Sequence, residues 1–211
     1  MDVEQLIYRI KNDPEWVILG LLVFFLLVGG GAYYYHSVQQ EETEASQHFA
    51  AIMQGYMMAD TTEDYEQLAG QFQQMFSMYE ETDVADKILF YLGRSLLEAQ
   101  DYEAAIEQFS RLASQYPDSF FAGSSYLHAA YAQYYLENYD HAMSQLEGAL
   151  YHLEENHPLR VEVLWQKARI YSKLDDEEEQ KRVLKKLLET ADAGQEYWRR
   201  RAREELIGLV G

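Results

Sequence analysis

A nine-residue pattern recurs along this chain at a nearly constant interval, and that interval constrains the fold more than any other feature. It reads DYEQLAGQF around Tyr65, DYEAAIEQF around Tyr102 and NYDHAMSQL around Tyr139, in steps of 37 residues. A further step of 38 reaches the weaker DEEEQKRVL around Glu177. Self-similarity at such a period belongs to stacked units, each too small to bury its apolar face without neighbours. The stretch from Tyr91 to Pro117, YLGRSLLEAQDYEAAIEQFSRLASQYP, shows what one unit is. It predicts two short antiparallel helices, with the small Gly93 and Ala105 where they must approach closely, Phe109 filling the space beyond, and Pro117 stopping the second helix. Tyr56, Gly93, Ala130 and Ala168 keep the same offsets on the first helices.

The expected helix pairs are 40–59 with 63–79, 83–99 with 102–116, 119–136 with 139–155, and 158–173 with 176–192. A last helix, 194–208, mixes apolar and charged positions as a cap over the exposed end should. Thr61 and Thr62, Thr82 and Asp83, and Asp118 and Ser119 are expected N-caps. Pro158 suits a first helical turn, and Asp175 to Glu179 place negative charge where the helix dipole favours it.

The central unit resembles a tetratricopeptide repeat. Leu89, Leu92, Gly93, Leu96, Ala105, Phe109 and Pro117 fall at seven of that family's eight signature positions, and Leu112 departs from the small residue expected at the eighth. The family's usual period is somewhat shorter, so the resemblance implies slightly longer helices or turns here. The expected class is therefore all-α: a single transmembrane helix followed by an α-solenoid of about four helix pairs and a capping helix.

The transmembrane expectation comes from WVILGLLVFFLLVGGGAYYY, Trp16 to Tyr35, which holds no charged residue. Twenty helical residues span about 30 Å, the thickness of a bilayer core. Trp16 and Tyr33, Tyr34 and Tyr35 suit the two interfaces. The organisation read from this is a short cytoplasmic segment 1–15, a membrane helix 16–35 and an extracytoplasmic repeat domain 36–211. A cleaved signal peptide is the rival reading, since Gly30 and Ala32 could mimic a cleavage site. Against it, the segment before the span carries Asp2, Glu4, Asp13 and Glu15 as well as Arg9 and Lys11, whereas a signal peptide starts basic. No Lys or Arg occurs from His36 to Asp86, so Arg9 and Lys11 direct the N-terminus to the cytoplasm.

The formal net charge of −19 argues against nucleic acid, whose phosphates demand a basic surface. It is concentrated: between residues 36 and 158 the only bases are Lys87, Arg94 and Arg111, whereas residues 159–211 are nearly balanced. Either the acidic surface only keeps the domain soluble, or it attracts basic partners. Cysteine is absent, which removes thiol chemistry and cysteine metal sites. No HExxH, phosphate-binding glycine loop, nucleophile elbow or dinucleotide fingerprint occurs. The six histidines are scattered, and His152 and His157, five apart, would turn away from each other on a helix. No enzyme, metal or cofactor is expected.

What remains is a binding surface. In a tetratricopeptide stack the first helices line a concave groove, and the resemblance places eleven residues there. They are Met53 and Met57 from the first unit, Phe90 and Arg94 from the second, Leu127, Tyr131, Tyr134 and Tyr135 from the third, and Trp165, Arg169 and Lys173 from the last. Leu97 shares the face. Any one of them could instead pack between repeats. The lysine–asparagine clamp that some members use for acidic tails is missing.

In layout the whole chain resembles the YfgM-like ancillary subunits of the bacterial Sec translocon. That resemblance implies a location in the bacterial inner membrane with a periplasmic repeat domain. It also implies protein partners: the translocon, a membrane-anchored chaperone or isomerase, and emerging secretory chains, with no small-molecule substrate. A structural scaffold of another envelope machine, for secretion, motility or division, is the alternative, and it would bury a fixed partner rather than keep an open groove.

Overall fold

A computed structural model describes residues 14–209. Every element in that range is helical. The helices are α1 (Pro14–Tyr56), α2 (Thr62–Tyr79), α3 (Ala85–Glu98), α4 (Tyr102–Gln115), α5 (Ala122–Tyr135), α6 (Tyr139–His152), α7 (Leu159–Lys173), α8 (Glu177–Thr190) and, after a 3-10 turn at Ala193–Gln195, α9 (Glu196–Gly208). The chain divides into two units, Met1–Gln47 and His48–Gly211.

In the first unit, the described apolar side chains from Ile18 to Val28 and the rings of Tyr33, Tyr34 and Tyr35 are exposed. A stretch of this length and composition is able to cross a membrane. Arg9 and Lys11, on which the expected orientation turns, lie outside the described residues.

The second unit is a solenoid of helix pairs with a capping helix, as the period predicts. Gly93 shows why the spacing is fixed. A Cβ built there would sit 2.7 Å from Phe109 Cε1, closer than any real contact, so α3 can approach α4 only because residue 93 is bare. Ala105 is fully buried, as are Phe109 and Leu112. Between the first pair and α3, Phe49, Tyr56, Phe72 and Tyr91 form an aromatic cluster with centroids 5.1–6.4 Å apart. The third pair is built on Leu127, Ala130, Leu146 and Ala149, with Ile170 of α7 packed in from the next pair. The last closes over Val161, Leu164, Val183, Leu184 and Leu187, where Ala202 of α9 is buried and Trp198 and Leu206 lean in as a cap.

Turns repeat with the helices. Gln100, Glu137 and Asp175 all have positive φ, 64°, 60° and 55°, at the link between first and second helix. After each, the next N–H donates to the carbonyl five residues back: Asp101 to Leu96, Asn138 to Gln133 and Asp176 to Tyr171, at 2.9–3.0 Å. This is the Schellman closure, which glycine normally occupies because a Cβ is strained in the left-handed region. Two of the following residues then cap the second helix: Asp101 Oδ1 accepts from the Ala104 N–H and Asp176 Oδ1 from the Glu179 N–H. Glu137→Gly should therefore stabilise the fold by about 0.5–1 kcal/mol, relieved strain outweighing the added freedom of the unfolded chain. Thermal melting of the full chain in a non-ionic detergent would show a rise of roughly 2–3 °C; a fall would mean the left-handed position carries no strain.

Some local expectations are corrected. Thr61 caps α2 in a reciprocal box with Asp64, so α2 begins at Thr62, whereas Tyr102, Tyr139 and Glu177 are each the first residue of their helix. Neither Thr82 nor Asp118 caps a helix. The residues before α3 and α5 are Val84 and Phe121, with no side-chain cap. Thr82 Oγ1 instead donates to the Tyr79 carbonyl, and Ser119 Oγ to Asp86 Oδ2 at 2.6 Å. Thr82 thus ties its loop back to the end of α2, and Ser119 ties its loop to α3 while accepting from the Phe121 N–H at 3.0 Å.

Candidate functional site

The first helices of successive pairs turn one set of side chains to the same face. Arg94, Leu97 and Glu98 of α3, His128, Tyr131 and Tyr135 of α5, and Glu162 of α7 meet around a cavity of about 570 Å³, with Tyr102, Gln100 and Leu159 at its edges. Tyr135 is 53% exposed. Its ring stacks on Tyr102, 5.1 Å between centroids and 15° from parallel, so one flat aromatic surface is held ready. The Tyr131 hydroxyl donates to Glu162 Oε1. Burial, and then the Glu162 carboxylate, push that phenol far above its ordinary range, so Tyr131 stays a donor at any working pH.

His128 lies deeper. Its Nδ1 donates to the Ser124 carbonyl at 2.7 Å, and its ring meets Phe90, Phe109 and Tyr131 at 5.4–5.9 Å. Burial lowers its pKa to about 4; the Ser124 bond opposes the shift and Arg94 adds to it. The imidazole is neutral near pH 7. Arg94 pairs with Glu98 at 3.6 Å, and its Nε is buried without a hydrogen-bond partner among the described residues.

A second, smaller cavity of about 220 Å³ is lined by Tyr134, Trp165, Arg169, Ser172, Lys173, Gln180, Arg201 and Glu205. Arg169 lies over the Tyr134 ring at 4.3 Å and Arg201 over Trp165 at 4.8 Å.

Seven of the eleven expected residues are thus gathered into two cavities, Arg94, Tyr131 and Tyr135 in one and Tyr134, Trp165, Arg169 and Lys173 in the other. Four are not. Leu127 is fully buried in the core of the third pair. Phe90 is buried too, stacked on Phe121 at 4.6 Å. Met53 lies in the last turn of α1 and Met57 in the turn just after it, half-buried and 74% exposed respectively, and they line neither cavity. Trp165 itself is buried, between Arg201 and the ring of Trp198 at 6.1 Å, so it forms a wall and offers no free contact face. Periodicity missed Glu98, Tyr102, His128, Glu162 and Arg201. Tyr102 and Arg201 come from a second helix and from the cap, where first-helix spacing has no power. His128 is an unrepeated residue that only packing reveals.

Helix pairs stacked on their neighbours, with aromatic and charged side chains gathered on one face, define a repeat scaffold for protein–protein interaction, a class that is typically not enzymatic. The chain belongs to the tetratricopeptide repeat-like domain family, which it matches from residue 11 to residue 197. Among solved structures it is similar to the nearly identical TPR-like repeats of a Podosopora anserina kinesin light chain candidate, at 16% identity and a TM-score of 0.61, over 80% of this chain and 86% of that one. A single-substitution variant of those repeats gives 0.62 at the same identity, over 80% and 85%. MamA of strain AMB-1 gives 0.50 at 16% identity, over 76% and 98%. Identities this low carry the fold alone. No curated protein matches the chain.

Proposed function

We propose that this protein is a membrane-tethered interaction module that holds an extended segment of a partner protein against the first-helix face of its repeats. The observation that carries this is the 570 Å³ cavity with its stacked Tyr102–Tyr135 surface and its flanking Arg94, Glu98 and Glu162. Flat, rigid rings give large contact area at small entropic cost, and the charged groups around them fix register. The exposed apolar run of α1 supports the tether; Arg9 and Lys11 before it, against the absence of Lys and Arg from His36 to Asp86, support a cytoplasmic N-terminus and periplasmic repeats.

Within that reading the finer assignment is an ancillary subunit at the Sec translocon of the bacterial inner membrane, recruiting a periplasmic chaperone or handling emerging chains. Its support is the whole-chain layout of one apolar span followed by tetratricopeptide-like repeats. Crosslinking in intact membranes, followed by capture of the solubilised full chain, tests the partner. Translocon subunits or a membrane-anchored chaperone among the crosslinked proteins support the assignment; a fixed component of another envelope machine would replace it.

The binding face has its own test. Tyr135→Ala removes an exposed ring without opening the core. Titrated with basic-apolar peptides or with the captured partner, the variant should bind about 30-fold more weakly, the loss of a single hot-spot contact of about 2 kcal/mol. Unchanged affinity would move the working surface elsewhere.

A further inference from the structure

Another cavity, of about 400 Å³, lies between the second helices α2 and α4, with α3 as its floor. Leu92 and Leu96 are the part of α3 that lines it, whereas Arg94, Leu97 and Glu98 line the first-helix cavity. Helical spacing puts those two sets on opposite faces of α3. A ligand here would leave the first-helix face untouched.

Small residues keep this gap open, and the repeat does not demand them. Ala69 and Gly70 of α2 and Ala104 of α4 line it. One period on, Ile106 and Glu107 hold the places of Ala69 and Gly70. Packing does not demand Gly70 either: a Cβ there would meet no atom within 4 Å, although glycine inside a helix is costlier than alanine. Beside the gap is an unmet acceptor. Gln108 of α4 lines the cavity at only 7% exposure, and its Oε1 is buried without a hydrogen-bond partner among the described residues. A buried oxygen left in this way is stabilised by any donor that reaches it.

The rim is acidic. Glu66 and Asp101 are exposed on it, and no basic side chain lines the cavity. Asp101 Oδ1 accepts from the Ala104 N–H, which leaves Oδ2 for a ligand. The surrounding chain, from residue 36 to residue 158, has only Lys87, Arg94 and Arg111 as bases, so its field favours a cation.

We propose that this cavity receives a lysine side chain of a partner polypeptide. The apolar stem would lie along Ala69, Leu92, Leu96 and Ala104 while the ammonium meets Gln108, Glu66 and Asp101. Acceptors on three separate residues suit the three rotatable donors of an ammonium better than the planar fork of arginine.

Methyl NMR of the full chain in a non-ionic detergent, with alanine and leucine methyls labelled, reads the site through Ala69, Leu96 and Ala104. Leu97, on the other face of α3, is the internal control. The probe is a capped Ala-Ala-Lys-Ala-Ala peptide, beside its norleucine and arginine counterparts and pentane-1,5-diamine as a free polyamine. The lysine peptide should shift the three methyls saturably and leave Leu97 unmoved, binding about tenfold more tightly than the norleucine peptide and more tightly than the other two. Gln108→Met removes the unmet oxygen, so the melt should hold or rise while lysine binding weakens about tenfold. Gly70→Leu fills the gap from an exposed position with room for a side chain, and should weaken binding at least as much without lowering the melt. Tyr135→Ala should change nothing here, which separates this site from the first-helix reading. Equal binding of lysine and norleucine, tighter binding of arginine or the diamine, a shift at Leu97 alone, or undiminished binding in Gln108→Met and Gly70→Leu overturns the assignment.

Discussion

Truncating Phe109 to alanine is expected to destabilise the repeat unit by about 3–5 kcal/mol, roughly 10 °C or more in the melting temperature of the full chain. Its ring is fully buried against Gly93 and touches Phe90 and His128, so removing it leaves a cavity at the junction of two repeats. Gly93→Ala attacks the same contact from the other side. The new methyl would have to displace a pinned ring from 2.7 Å, and overpacking of this kind costs about 1–3 kcal/mol. Because the two sites share one space, Gly93→Ala combined with Phe109→Leu should cost less than the two changes summed. Circular dichroism melts of the three variants in one detergent decide it, and simple additivity would mean the ring is free to move aside.

Acid should weaken the fold through His128. Its pKa is 6.5 in the open chain and about 4 in the folded one, because burial disfavours the imidazolium. Above 6.5 both states leave the ring neutral, and stability does not depend on it. As pH falls from 6.5 through 4 the unfolded chain takes up the proton first, and stability is lost, up to about 3 kcal/mol. The acidic surface titrates over much of the same range, so the useful quantity is a difference. His128→Asn keeps a donor for the Ser124 carbonyl and cannot charge. Melts of wild type and variant at pH 7.5 and pH 4.5 should diverge at the lower pH, with the variant losing less. Parallel curves would place the ring in contact with water.

Repetition decided what could be read in advance. Gly93 is matched by Ala130 and Ala168 and Ala105 by Ala142 at the fixed offsets, and the structure makes Gly93 a close approach and buries Ala105 completely. Gly123 and Gly148 are equally tight, since a Cβ at either would sit 2.7 Å from Leu153 Cδ2 or Tyr126 Cδ1. Their counterparts one period away are Asp86 and Val161, and Arg111 and Lys186, so no pattern marks them. They answer to a single neighbour rather than to the repeat. The candidate face divides in the same way. Spacing placed Tyr131, Tyr134 and Tyr135 on one helix, but a helix at the centre of a stack has two buried flanks, and spacing cannot say which flank takes Phe90 or Leu127. That depends on whether Phe121 or Ile170 arrives to cover them, a matter of tertiary packing.

The left-handed turns at Gln100, Glu137 and Asp175 bear on how such a chain can change in length. Each occupies the same place in its pair, 37 and 38 residues apart, and each hands the chain straight to the next helix. Excising the segment from one such turn to the next rejoins two halves of identical backbone geometry, with the strained residue and its five-back hydrogen bond restored. Excision or duplication between these turns can therefore shorten or extend the repeat face in whole pairs at little conformational penalty.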